Sequence, residues 1–176
     1  PVAINGKPVD VFTAVTEANA IAGRHGVGIG LHLVENRFVG VKSRGVYEAP
    51  CMELLCTVFA FVLQLVADRR ARELYDQMSL YIAKQIYQGY WNDVGTGMAR
   101  AAIGPLVKLV TGTVTVSLYK GTITFVEAKD APHSLFSNDG SMEREGSFDH
   151  KDSEGLLRVL AVSARALAHA GQIKRM

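Results

Sequence analysis

The chain has 176 residues, 48% of them hydrophobic and 20% charged. These are the proportions of an ordinary folded domain and exclude the disordered, collagen-like and disulfide-scaffold classes. Nineteen Lys and Arg against 17 Asp and Glu leave a net charge of only +2, too balanced for the footprint of a nucleic-acid binder or of a protein held on anionic lipid.

The length suits one domain over 1–176, because domains most often run roughly 100 to 200 residues, and no linker, repeat or low-complexity tract divides it. Pro1 to Gly6 contain no initiator Met, basic leader or cleavable apolar core, so the expectation is a cytoplasmic and truncated chain. After Asp10, the residues Phe12, Val15, Ala18, Asn19, Ile21 and Ala22 recur at helical spacing. A helix is therefore expected over 11–25, with Gly26 as its stop. From Leu33 to Glu48, β-branched and aromatic residues interrupted by Gly40 and Gly45 predict two short strands, with the turn near Ser43-Arg44-Gly45.

Pro50 suits a first helical turn, and the apolar run from Leu54 to Ala67 is short of the roughly 20 residues of a membrane span. It reads as a core helix. Asp68 is a good N-cap for a further helix to about Gly89. Another helix is expected over Met98 to Val110, after a loop from Asn92 to Gly97. Thr113 to Tyr119 alternates faces, and Lys120-Gly121 supplies a tight turn into a partner strand at Thr122 to Val126. A short strand at Gly146 to His150 and an amphipathic helix from Asp152 to Ala170 complete the order, which predicts an α+β fold of helices and largely antiparallel strands.

Few residues carry obvious chemistry. Cys51 and Cys56 fall in one predicted helix, about 140° and 7.5 Å apart, and read as free buried thiols. None of the five histidines has a partner at metal-ligand spacing, so no metal site is expected. Gly26, Gly28 and Gly30 follow a helix, whereas a dinucleotide fingerprint follows a strand and opens a helix, so they read as turn formers. The dense segment is Glu35 to Glu48. There Glu35, Arg37, Lys42, Ser43, Arg44 and Tyr47 offer a carboxylate, three cations, a hydroxyl and a phenol. On a half-buried strand pair such charges can simply be a solvated face. Together they also suit recognition of a small zwitterionic metabolite. No nucleophile or general-base pair accompanies them, so no catalytic residue is assigned.

The same segment carries a resemblance. Gly23-Arg24-His25-Gly26-Val27-Gly28, followed by the run from Val34 through Lys42-Ser43-Arg44-Gly45-Val46-Tyr47-Glu48-Ala49-Pro50, resembles the C-terminal part of the argininosuccinate synthase family. Weaker similarity continues through Ile86 to Trp91, Thr111 to Val114, Ala131 to Phe136 and Asp152 to Gly155. The resemblance implies a homotetrameric carbon–nitrogen ligase of arginine biosynthesis. Such a ligase adenylates the ureido oxygen of citrulline with ATP, releasing pyrophosphate, and the amine of aspartate then displaces AMP.

It further implies that Glu35 and Tyr47 contact citrulline, while Arg37, Ser43 and Arg44 shape the site. ATP, with Mg as its counter-ion, and aspartate would be bound through an N-terminal domain whose Ser-Gly-Gly-type phosphate loop does not occur in this sequence. The 176-residue chain alone is accordingly expected to be inactive. Two departures stand out: Ile29 to Leu33 is one residue longer than the corresponding family stretch, and Cys51 replaces a common Gly. A free-standing assembly or metabolite-sensing module that keeps the fold is the alternative, and the coding sequence upstream of Pro1 distinguishes the two.

Overall fold

A computed structural model of the chain describes residues 1–37, 39–140 and 149–173. They fall into two units, Pro1–Leu135 and Phe136–Met176. The first opens with a minimal antiparallel pair, β1 (Ala3–Ile4) and β2 (Lys7–Pro8), which the sequence reading passed over. Asp10 then starts α1 (Val11–Arg24), its carboxylate accepting the Thr13 backbone N–H at 2.7 Å and so satisfying one of the donors that a helix start leaves unpaired.

The face that α1 buries is Ala14, Ala18 and Ala22, whereas Phe12 and Val15 are 80% and 46% exposed. Alanines four apart form a smooth stripe, which lets α2 (Pro50–Val66) pack closely against α1. At that contact the Asn19 side-chain oxygen accepts the Cys51 backbone N–H at 3.2 Å. Ala18, Ala22, Val27, Cys51 and Leu54 form the core cluster, with Val58, Val116, Leu118 and Ile123 packed against it. Cys51 therefore sits inside the core, and the helix still begins at Pro50. Cys56 lies on the exposed side of α2, so only one of the two free thiols is buried. A five-residue offset turns the second cysteine about 140° from the first.

The next helix, α3 (Arg69–Tyr87), is capped by Asp68 and pairs with α4 (Val94–Val107). The sequence had placed the start of α4 at Met98. The helix instead begins four residues earlier, after Asp93, because Thr96 and Ala99 are buried there. The Thr96 hydroxyl donates to the Tyr90 carbonyl at 2.7 Å, and Gly95 admits the Tyr81 hydroxyl, which would lie 2.5 Å from a Cβ at that position. These tertiary contacts outweigh the low helix propensity of Gly95 and Gly97.

Strands β5 (Thr113–Tyr119) and β6 (Thr122–Lys129) form the expected hairpin around Lys120-Gly121, with β6 running three residues further than Val126. A register shift between Thr115 and Val116 accommodates one extra residue on β6. The hairpin turn docks on the exit of α1, where the Gly121 N–H donates to the His25 carbonyl at 2.7 Å. Phe125 meets Phe61 of α2 edge-on, with ring centroids 5.2 Å apart.

The second unit contains a 3-10 turn at Asn138–Gly140 and α5 (Asp152–His169), none of whose residues is buried. Of the strand expected at Gly146 to His150, Gly146 to Phe148 lie outside the described residues, and Asp149 and His150 do not belong to a strand. Among the described residues, five helices and antiparallel strand pairs make the fold α+β, as the sequence predicts. Among the described residues, no helix is long and apolar enough to cross a membrane.

Candidate functional site

The charged segment folds as an antiparallel hairpin, β3 (Leu31–Asn36) against β4 (Lys42–Tyr47). Its turn is at Arg37 to Val41, not at Ser43-Arg44-Gly45. The Arg37 N–H donates to the Val41 carbonyl at 2.7 Å, and the Gly40 N–H to Arg37 at 2.9 Å. The sequence predicts Gly45 as part of the turn. Gly40 is at the turn, with φ +88°, whereas Gly45 lies inside β4, paired with Leu33.

Register decides which side chains meet. Glu35 pairs with Ser43, and Tyr47 pairs with Leu31. Alternation along a strand therefore puts Glu35, Ser43 and Tyr47 on one face, with Gly45 between the last two. The Tyr47 hydroxyl donates to Glu35 Oε1 at 2.7 Å. The bond spans four residue pairs of the ladder, two rows of this face, and the ring bridges that span by crossing Gly45, where a Cβ would lie 2.7 Å from both Tyr47 Cζ and Oη.

The hydrogen bond to the Glu35 carboxylate raises the Tyr47 phenol above its ordinary pKa. Partial burial and the Glu35 charge add to the shift, and the Arg37 guanidinium opposes it.

The other residues expected at the site divide between positions. Ser43 is half-buried opposite Glu35, and its hydroxyl oxygen is shielded from solvent without a hydrogen-bond partner among the described residues. Arg37 is exposed at the turn. Arg44 pairs with Val34, so it belongs to the face opposite Glu35 and Tyr47. Sequence reasoning missed Gly45 as part of this arrangement. A glycine within a strongly β-prone run was the available signal, since strands tolerate glycine chiefly where something approaches closely.

In the glycine turn after α1, Gly28 has φ +65° and accepts the Ala49 N–H at 2.7 Å. The place of a Gly28 Cβ is already taken by Ala49 and Pro50, and Gly26 abuts Gly121. These two glycines therefore serve the packing of the chain on itself. Among the described residues, no group of three or more His, Cys, Asp or Glu could hold a metal ion.

A family model described as the arginosuccinate synthase C-terminal domain matches residues 1–167. The argininosuccinate synthase of Rhodopirellula baltica is 41% identical over 94% of this chain and 41% of its own length. That of Maricaulis maris is 40% identical over 95% of this chain and 40% of its own length. Argininosuccinate synthase 1 of Rhizobium johnstonii is 39% identical over 96% of this chain and 42% of its own length. The chain thus spans about two fifths of the relatives it matches, and with nearly its whole length inside the family match it belongs to the argininosuccinate synthase family, as the C-terminal domain.

Proposed function

We propose that this chain is the citrulline-holding and assembly part of an ATP-dependent ligase of arginine biosynthesis that joins citrulline to aspartate to form argininosuccinate. The observation that carries this reading is the Glu35–Tyr47 pair, bonded at 2.7 Å on one face of a hairpin inside the family match.

Citrulline presents an ammonium group, a carboxylate and a ureido group. Tyr47 uses one oxygen of Glu35 and leaves the other free to accept an N–H of the ligand, while the phenolic oxygen keeps acceptor capacity. The shielded, unpaired Ser43 hydroxyl on the same face offers a further donor or acceptor, which a ligand would satisfy at a gain. Arg37 acts at the rim of this face through its charge. Arg44, on the other side of the ladder, acts on the shape of the hairpin. Aspartate, ATP and its Mg counter-ion fall to the rest of a full-length synthase, since the Ser-Gly-Gly-type phosphate loop that the resemblance implies does not occur in this sequence.

In a synthase containing this chain, Glu35→Gln is expected to lower kcat/KM for citrulline roughly 10- to 150-fold, the worth of a hydrogen bond to a charged group, with KM for ATP nearly unchanged. Tyr47→Phe acts in the same direction and less, because it removes a neutral donor and keeps the ring. Equal losses toward citrulline and ATP in steady-state kinetics would reject the assignment.

A further inference from the structure

Gly45 pairs with Leu33 in the middle of β4, among β-branched and aromatic neighbours. Its φ lies outside the left-handed region, so the backbone itself does not require glycine there. Glycine within a strand costs conformational entropy and gives up a packing side chain, and its presence needs another cause. The nearest atoms to a Cβ at this position all belong to the Tyr47 ring and hydroxyl, at distances where something must shift. The ring sits there because Tyr47 and Glu35 are two rows apart on one face, and the only way across runs over residue 45.

We propose that Gly45 is a positioning residue for substrate recognition: by leaving its row of the hairpin face empty, it lets the Tyr47 ring cross β4 and set its hydroxyl on Glu35. The structural part needs only the hairpin. The consequence for recognition rests on Glu35 and Tyr47 being citrulline contacts. A methyl group at residue 45 would lift the ring off the face and separate the pair, while the ladder, whose bonds are all backbone, stays formed.

The test follows the Tyr47 phenol in the full 176-residue chain by pH titration of 13Cζ-tyrosine NMR signals, with Tyr47→Phe identifying the resonance. Gly45→Ala should bring the Tyr47 pKa down toward the ordinary value of about 10. Glu35→Gln should do the same, and Gly45→Ala should add little on top of Glu35→Gln. A Gly45→Ala chain that folds and titrates like the unsubstituted one overturns the proposal. Should Gly45→Ala not fold, the unsubstituted chain decides: a nuclear Overhauser effect between the Gly45 Hα protons and the Tyr47 ring supports the proposal, and its absence overturns it. In a synthase containing this chain, Gly45→Ala should raise KM for citrulline roughly 2- to 10-fold, the worth of one neutral hydrogen bond, with kcat and KM for ATP nearly unchanged. A Tyr47 pKa that falls with no change in KM for citrulline supports the positioning role and rejects the citrulline assignment instead.

Discussion

Gly28 and Gly45 both stand where a Cβ would meet close neighbours, of opposite kinds. At Gly28 the constraint is the backbone: its φ is +65°, and a Cβ would lie 2.7 Å from the Ala49 carbonyl oxygen and 2.9 Å from Pro50 Cα. Neither neighbour can move aside, because Ala49 is bonded to the Gly28 carbonyl and Pro50 opens α2. Gly28→Ala should therefore destabilise the chain by about 1–3 kcal/mol, read as a lower urea midpoint at unchanged slope, and an unchanged midpoint would contradict the close approach. At Gly45 the obstacle is a side chain, which can swing away, so the loss there should fall on the Tyr47–Glu35 pair more than on the fold. The sequence shows that glycines at 26, 28 and 30 belong to a turn, since chain order alone sets them after a helix. It does not show that a ring twelve residues downstream of Glu35 folds across Gly45. That depends on strand register and rotamer, and both are set by contacts distant in sequence.

At the scale of elements, local chemistry and long-range contact share control. The start of α3 is local. Asp68 accepts the backbone N–H groups of Arg70 and Ala71 at 2.8 and 3.3 Å, and these bonds, Arg70 first, hold its carboxyl below the usual carboxylate range. A group whose folded pKa is depressed stabilises the fold above its unfolded pKa of about 3.9 and loses that contribution as pH falls through the folded value. Asp68→Asn keeps a capping oxygen and cannot ionise. The thermal midpoint of the unsubstituted chain should exceed that of Asp68→Asn near pH 6, and the gap should narrow as pH drops below about 4. A gap that stays constant down to pH 2 would show that the carboxylate is not what caps α3. Because caps, prolines and hydrophobic periodicity are local, α1, α2, α3 and the β5–β6 hairpin were legible within a few residues of their ends. The start of α4 was not, since Tyr81, Tyr90 and Thr96 stabilise it from positions that propensity does not weigh. The β3–β4 turn was displaced for a related reason: the sequence points to Gly45, and only the pairing ladder shows that Gly40 is at the turn and Gly45 beneath a ring.

At the scale of the whole molecule, α5 presents apolar side chains and buries none of its residues. Leu156, Leu157, Val159, Leu160 and Val162 are between 57% and 69% exposed. On a helical projection they cover more than the stripe of about 100° that a single core contact requires. Contiguous apolar surface of this kind marks an interaction site. The synthase resemblance, which implies a homotetramer, makes a second copy of this chain the occupant we propose, most simply through a self-complementary contact. Replacing Leu157 and Leu160 together by Glu puts two like charges on that surface at positions 64% and 60% exposed. Helix content by circular dichroism should remain as in the unsubstituted chain, while the mass from size-exclusion light scattering should fall from an oligomer to a smaller species. An unsubstituted chain that is monomeric at tens of micromolar, or a Glu variant that keeps the full oligomeric mass, would remove α5 from the assembly interface and leave its apolar surface to another part of a longer chain.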